Sequence, residues 1–287
     1  MSKQSVNVVG ELIDDIHPVF PYVGIWILNA AAAMMAETTF LLRTFRSIKA
    51  EHILSAAIDF AVTAVRYQLQ FVLTTLALTL NALTSIINNG LSLNSERPLN
   101  QQEIDYLRPV FGTGVDYSVV RIQSGGLKES LGISPQVVGN DIFLRQVWWR
   151  EKQFNDDQTL TLTGLRVLGH EMGHVWQFQT GGAGYIGDAL LTQFFGVFMK
   201  RFNLNISHGY DVKAALVSGT DFDCCNVEQQ GVLAELIALT HRANGSLTLE
   251  GLNRVSGYKL TEAQFEMVKR AHQSLQCTDF QTCVRAI

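Results

Sequence analysis

A mostly helical α+β fold follows from three features of this sequence. The first is a long apolar stretch before residue 95 that is poor in turn residues. The second is a pair of short segments rich in β-branched residues, 117–123 and 137–144. The third is a series of amphipathic, capped segments after residue 159. The 287 residues are 47% hydrophobic and 17% charged, with a formal net charge of -4. That is enough to bury a sizeable core. It excludes the basic footprint of a nucleic-acid binder and the composition of a disordered chain.

The N-terminal part reads as helices. Tyr22 to Leu42 is a first apolar run, interrupted by Asn29 and Glu37. Arg43 to Glu51 is a polar connection, and His52 to Ile87 is a second run that stops near Asn88-Asn89-Gly90. A membrane span needs about 20 apolar residues, and Phe71 to Ile87 falls short of that while carrying several threonines. The preferred reading is a helical hairpin packed on a partner or on the rest of the chain. Membrane contact through residues 19–91 is the alternative. The first stretch carries Glu11, Asp14 and Asp15 rather than a basic segment, so no secretory signal is expected. Ser95-Glu96-Arg97-Pro98 is read as a boundary between an apolar helical region, 1–95, and a second domain, 96–287.

In that second domain, Asn100 to Arg108 predicts a short helix. Tyr117 to Gln123 and Val137 to Leu144 predict strands, the first ended by Gly125-Gly126. Leu160 to Gln179 predicts a helix capped by Thr159 or Thr161, with Asp156 and Asp157 near its positive end and Gly181-Gly182 as its stop. Further helices are expected at Val227 to His241 and Thr261 to Gln276, the last with Thr261 and Gln264 in capping-box spacing. Trp148-Trp149 reads as packing against the Leu160–Gln179 helix. The cysteines, Cys224, Cys225, Cys277 and Cys283, form no CxxC pair. They read as free thiols or as disulfide partners. An adjacent pair rarely bonds to itself, so any bridge is expected to run to Cys277 or Cys283.

The chemistry concentrates at His170-Glu171-Met172-Gly173-His174, which fits H-E-x-x-H. Spacing i, i+4 on a helix puts both imidazoles on one face, where they can share a metal. Zinc takes neutral histidine nitrogens and keeps a position open for water in catalytic sites. Glu171 stands beside the first histidine and is the candidate general base. The extended metzincin motif requires Gly and His where this chain has Gln177 and Thr180, which excludes that class. A gluzincin-like site takes its third ligand from a later helix. Glu228 ranks first for that part and Glu235 second, with His208 and Asp211 as further candidates. Tyr210 is a candidate oxyanion donor, and His208 could play the same part.

The run GHEMGHVWQFQTGG and the run NVEQQG at 226–231 resemble the HExxH metallopeptidases of the eCIS-core type and the related Vgr- and Rhs-associated HExxH proteins of bacterial secretion systems. YSVVRIQ and VVGNDIFL resemble the strand pair that leads into the zinc helix of that family. The resemblance spans about residues 99–242 and leaves the N-terminal run and the cysteine-bearing tail uncovered. Met172-Gly173 departs from the commoner Leu-Thr of the eCIS-core sequences, which makes the Vgr-associated branch the nearer relative. The resemblance implies a zinc ion held by His170, His174 and Glu228, with Glu171 as base and Tyr210 close to the site. It also implies a secreted bacterial effector or toxin, delivered into a target cell by a contractile machine such as a type VI secretion system, without a signal peptide.

The expectation is therefore an α+β, zincin-like metallopeptidase acting on a protein or peptide. Its expected partners are a secretion-system carrier or chaperone for the apolar hairpin and a cognate immunity protein. Two rivals stand beside it. One keeps the zincin fold as a non-catalytic assembly module of a contractile secretion particle. The other is a membrane-perturbing toxin driven by residues 19–91, which needs no zinc.

Overall fold

The computed structural model describes residues 31, 50–91, 93–126, 136–145, 153–155, 157, 159–201 and 210–277. The Tyr22–Leu42 run apart from Ala31, the Trp148-Trp149 pair, His208 and Cys283 lie outside the described residues. Within the described residues the fold is α+β, with eight α-helices and one four-stranded mixed sheet.

The second apolar run is one 42-residue helix, α1 (Ala50–Leu91). At 1.5 Å per residue it is about 63 Å long. No helix among the described residues is long and apolar enough to cross a membrane. The sheet follows in the order β1-β2-β4-β3. Strand β1 (Asn94–Pro98) pairs antiparallel with β2 (Arg121–Gly125), and β2 runs parallel to β4 (Asp141–Phe143). Strand β3 (Gln136–Val138) closes antiparallel on β4 and forms an edge of the sheet.

Two strand expectations change here, and the boundary segment takes a definite form. The expected boundary at Ser95–Pro98 is itself β1, with the Ser95 and Ser124 hydroxyls 2.8 Å apart across the ladder. Residues 117–119 form a 3-10 turn rather than strand, because the Asp116 carboxylate accepts from the Ser118 amide and caps them. The segment 137–144 is two strands rather than one. Gly139-Asn140 turns the chain between β3 and β4, with Gly139 at φ +69°, where only glycine is unstrained.

Helix α2 (Gln101–Phe111) begins with a capping box between Asn100 and Glu103. The buried Glu103 carboxylate also takes both ends of the Arg97 guanidinium, at 2.6 and 2.8 Å, which fixes β1 against α2. Helix α3 (Leu162–Gly181) carries the H-E-x-x-H motif. Its cap is Thr161, whose hydroxyl accepts from the Gly164 amide. Then come α4 (Gly184–Arg201), α5 (Val212–Ser218), α6 (Val227–Asn244), α7 (Leu249–Ser256) and α8 (Glu262–Leu275). The Thr261/Gln264 capping box is present as the spacing predicts.

Helices α3 and α6 cross at the centre. A Cβ on Gly173 would stand 3.1 Å from the Gly231 Cα, so two glycines allow the backbones to approach this closely. Around the crossing, Leu168, Met172, Trp176, Phe178 and Ile237 are almost wholly buried. Each such side chain contributes about 1.5–3 kcal/mol of apolar burial. Helix α6 is buried nearly all round, so its polar Glu228, Gln230 and Glu235 point into the protein.

Helix α1 lies on α4. The Gln70 amide donates to the Gly184 carbonyl at 2.8 Å and to Asp188 at 3.2 Å. Arg66 pairs with Asp188 at 3.0 Å. A Cβ on Gly187 would meet the Gln70 carbonyl at 2.5 Å, so the two helices touch backbone to backbone there. Near its other end, Asn88 abuts Gly126 just past β2.

The cysteines divide between the two readings. Cys224 and Cys225 are both free thiols, and neither reaches Cys277. Cys277 is disulfide-bonded. Burial pushes the Cys225 thiol up to about 11, so it is an inert core residue.

Candidate metal centre

His170 and His174 stand one turn apart on α3, with ring centroids 5.0 Å apart and nearly perpendicular. Glu228, in the first turn of α6, meets both. Its Oε2 is 3.3 Å from His170 Nε2 and 3.5 Å from His174 Nε2. The donor atoms of the three residues all lie within 4.8 Å of one another, close enough to hold one metal ion. All three side chains are largely buried.

Each imidazole is oriented from behind. His174 Nδ1 lies 2.8 Å from Gln177 Oε1. The Gln177 amide nitrogen donates to the Val227 carbonyl at 2.9 Å and to Gln230 Oε1 at 2.8 Å. A carbonyl can only accept, so the amide orientation is fixed and His174 Nδ1 is the donor. In the neutral ring the lone pair is then on Nε2, where a metal ion would bind, and in the protonated ring Nε2–H donates to Glu228. On the other ring, His170 Nδ1 faces Glu235 Oε2 at 3.8 Å. Glu235 is held in turn by Arg166 Nε at 2.6 Å.

The electrostatics favour positive charge where the donors meet. Burial works to lower His174, but the hydrogen bond and charge of Glu228, with Glu171 nearby, raise it to about 9. Burial works to raise Glu228, yet its hydrogen bonds to His170 and His174 hold it well below the usual carboxylate range. Glu171 is buried, and that burial raises its pKa despite the two histidines beside it.

The site opens into a cleft of about 1110 Å³ bounded by α1, β3, α3, α4 and α6. Tyr210 stands half-exposed at its rim, its ring 6.1 Å from that of His170. Asp211 is not with the ligands. It caps α5 by accepting from the Ala214 amide, and its carbonyl receives the Gln229 side chain. Glu235 stands behind His170 rather than in the ligand set.

Sequence reasoning missed three contributors. Arg166 is four residues before His170, on the same helix face, so its spacing could have marked it. Gln177 is three residues after His174 and was visible for the same reason. Tyr185 stacks on His174 at 5.8 Å and donates to the Val137 carbonyl at 3.1 Å. It comes from α4, and no local spacing announces it.

Comparison of the chain with family models, with curated proteins and with solved structures finds no match.

Proposed function

We propose that this protein is a zinc-dependent hydrolase with a zincin-like site, and that it cleaves peptide bonds. The observation that carries the reading is the convergence of His170, His174 and Glu228 beside the buried Glu171 in one cleft. Zinc bonds to nitrogen and oxygen of about 2.0–2.1 Å in a tetrahedral arrangement put ligand atoms about 3.3–3.4 Å apart. The separations of 3.3 and 3.5 Å between Glu228 and the two imidazoles fit that edge. Two imidazoles and one carboxylate are also the donor set of known catalytic zinc sites that keep a position for water.

A zinc ion bound there would supply Lewis acidity, both to a water molecule and to a carbonyl oxygen. The chain's own residues do the rest. Glu171 takes the proton from the attacking water and delivers it to the leaving amine. Gln177 and Glu235 hold the imidazoles in the ligating tautomer and orientation. Tyr210, at the rim, donates to developing negative charge on the substrate oxygen.

The link with bacterial secretion-system HExxH proteins belongs to the same proposal. It is supported by the contact between its two most specific motifs, since Gln177 of the H-E-x-x-H-V-x-Q run binds Gln230 of the E-Q-Q run. On this reading the protein is an effector delivered into another cell.

The test pairs metal analysis with proteome-wide cleavage mapping of the wild type and Glu171→Ala. One zinc per chain in both proteins, with new peptide termini only from the wild type, is the expected result. Zinc without wild-type-specific termini would reject the peptidase.

A further inference from the structure

Helix α1 does more than rest on the domain. Leu73, Leu76, Ala77 and Leu80 form one wall of the cleft that contains the ligand set, and Ile186 and Leu190 of α4 continue it. The positions α1 presents there, including Asn81 and Thr84, carry no charge. Arg145, Arg166 and Glu235 border other sides of the cleft. Leu76 and Leu80 leave 53% and 54% of their surface uncovered. The cleft is therefore apolar along α1 and ionic towards the metal ligands. Its volume, about 1110 Å³, is just above the range of about 300–1,000 Å³ for small-ligand sites and suits an extended segment of several residues.

We propose that α1 is the specificity wall of the site: Leu73, Leu76 and Leu80 select peptides with a bulky aliphatic or aromatic residue beside the scissile bond. This rests on the peptidase reading given above. The placement is held by fixed contacts, since Gln70, Arg66 and the close approach at Gly187 anchor α1 on α4 immediately before the wall begins. A charged side chain against that wall would lose its water without gaining a partner. An apolar one would cover the open faces of Leu76 and Leu80.

The test uses the full-length, zinc-loaded protein and a synthetic peptide pool of equalised composition. Cleaved products are sequenced for the wild type, Leu76→Asn, Leu80→Asn and Val62→Asn. Val62 lies on the same helix, exposed, and away from the cleft. The expected result is enrichment of Leu, Ile, Phe and Met at one position beside the cleaved bond. That enrichment falls by about tenfold, the scale of one apolar contact, in both leucine variants and persists in Val62→Asn. Leu80→Trp keeps the wall apolar but fills space, so its preference moves to smaller aliphatic residues. The same pool is also captured on zinc-loaded Glu171→Gln and sequenced, which reads selection without turnover. Captured apolar peptides without any wild-type cleavage would reject the peptidase and keep the wall. Unchanged selection in Leu76→Asn and Leu80→Asn, or selection of charged residues, would overturn the wall.

Discussion

Gln177 and Gln230 are hydrogen-bonded to each other at 2.8 Å, and this one contact ties the helix of the two histidines to the helix of the third ligand. Gln177 also accepts from His174 and donates to the Val227 carbonyl. Gln230 in turn donates to the Phe222 carbonyl at 3.0 Å. A buried polar chain of this kind rewards full satisfaction and penalises any gap.

Gln177→Ala should therefore act on both stability and metal binding. It leaves His174 Nδ1, the Val227 carbonyl and Gln230 Oε1 short of a partner. Leaving one such buried group unpaired costs about 1–3 kcal/mol, which thermal unfolding will register. Loss of a group that orients a ligand typically weakens metal binding by about 10–100-fold, measurable by competition with a chelator. Unchanged affinity would mean that the His174 orientation is set elsewhere.

The two candidate glutamates should separate cleanly. Glu228→Ala removes a donor from the set of three and should abolish stoichiometric zinc. Glu235→Ala removes only the carboxylate facing His170 Nδ1 and should keep one zinc per chain with about 10–100-fold weaker affinity. Titration with zinc under chelator control distinguishes the two. Stoichiometric loss in Glu235→Ala with retention in Glu228→Ala would exchange their roles.

Much of this site was legible because its parts follow helical spacing. His170, Glu171 and His174 share one run, and Thr161, Asn100 and Thr261 cap where their side chains permit. Helix α6 brings the Glu228 carboxylate to both imidazoles and leaves that of Glu235 behind His170. What stayed hidden depends on long-range placement. The Gly139-Asn140 turn hides between Val137-Val138 and Ile142-Phe143, whose β-branched and aromatic residues give both sides the pattern of one continuous strand. The polar residues and terminal Pro98 of β1 carry no strand propensity, and pairing with β2 alone makes it a strand. The role of α1 as a cleft wall has no local signature at all.

Gly231 supplies a third prediction. A Cβ placed on it would stand 2.9 Å from His170 Cε1 and 3.0 Å from His170 Nε2, so a methyl group there collides with the ligand itself. Gly231→Ala should leave α6 helical, since alanine is the better helix former by about 1 kcal/mol. It should displace the His170 ring and lower zinc affinity by at least about tenfold. Circular dichroism and chelator competition together show the split. A variant that binds zinc as the wild type does would mean that α3 and α6 can part without disturbing the ligands. The same crossing gives Gly173 its place, because any larger residue would press on the Gly231 backbone.

The last prediction separates an enzyme from a metal-stabilised assembly module. Glu171 is buried beside the histidines but is not one of the three grouped donors. Glu171→Gln keeps the size and hydrogen-bonding shape of the side chain and removes its basicity. Zinc content and thermal stability should change little, because no ligand is lost and no cavity opens. Peptide cleavage should fall by at least about 10²-fold, the lower range for losing a positioned general base. Any toxicity in cells that depends on cleavage should vanish with it. An assembly module expects the reverse, with the variant acting as the wild type does. A toxin that works through the apolar helix also expects retained toxicity, but should lose it when charges are placed within Phe71–Ile87. Wild-type cleavage and toxicity from Glu171→Gln, with zinc still bound, would leave the metal site in place and remove its catalytic role.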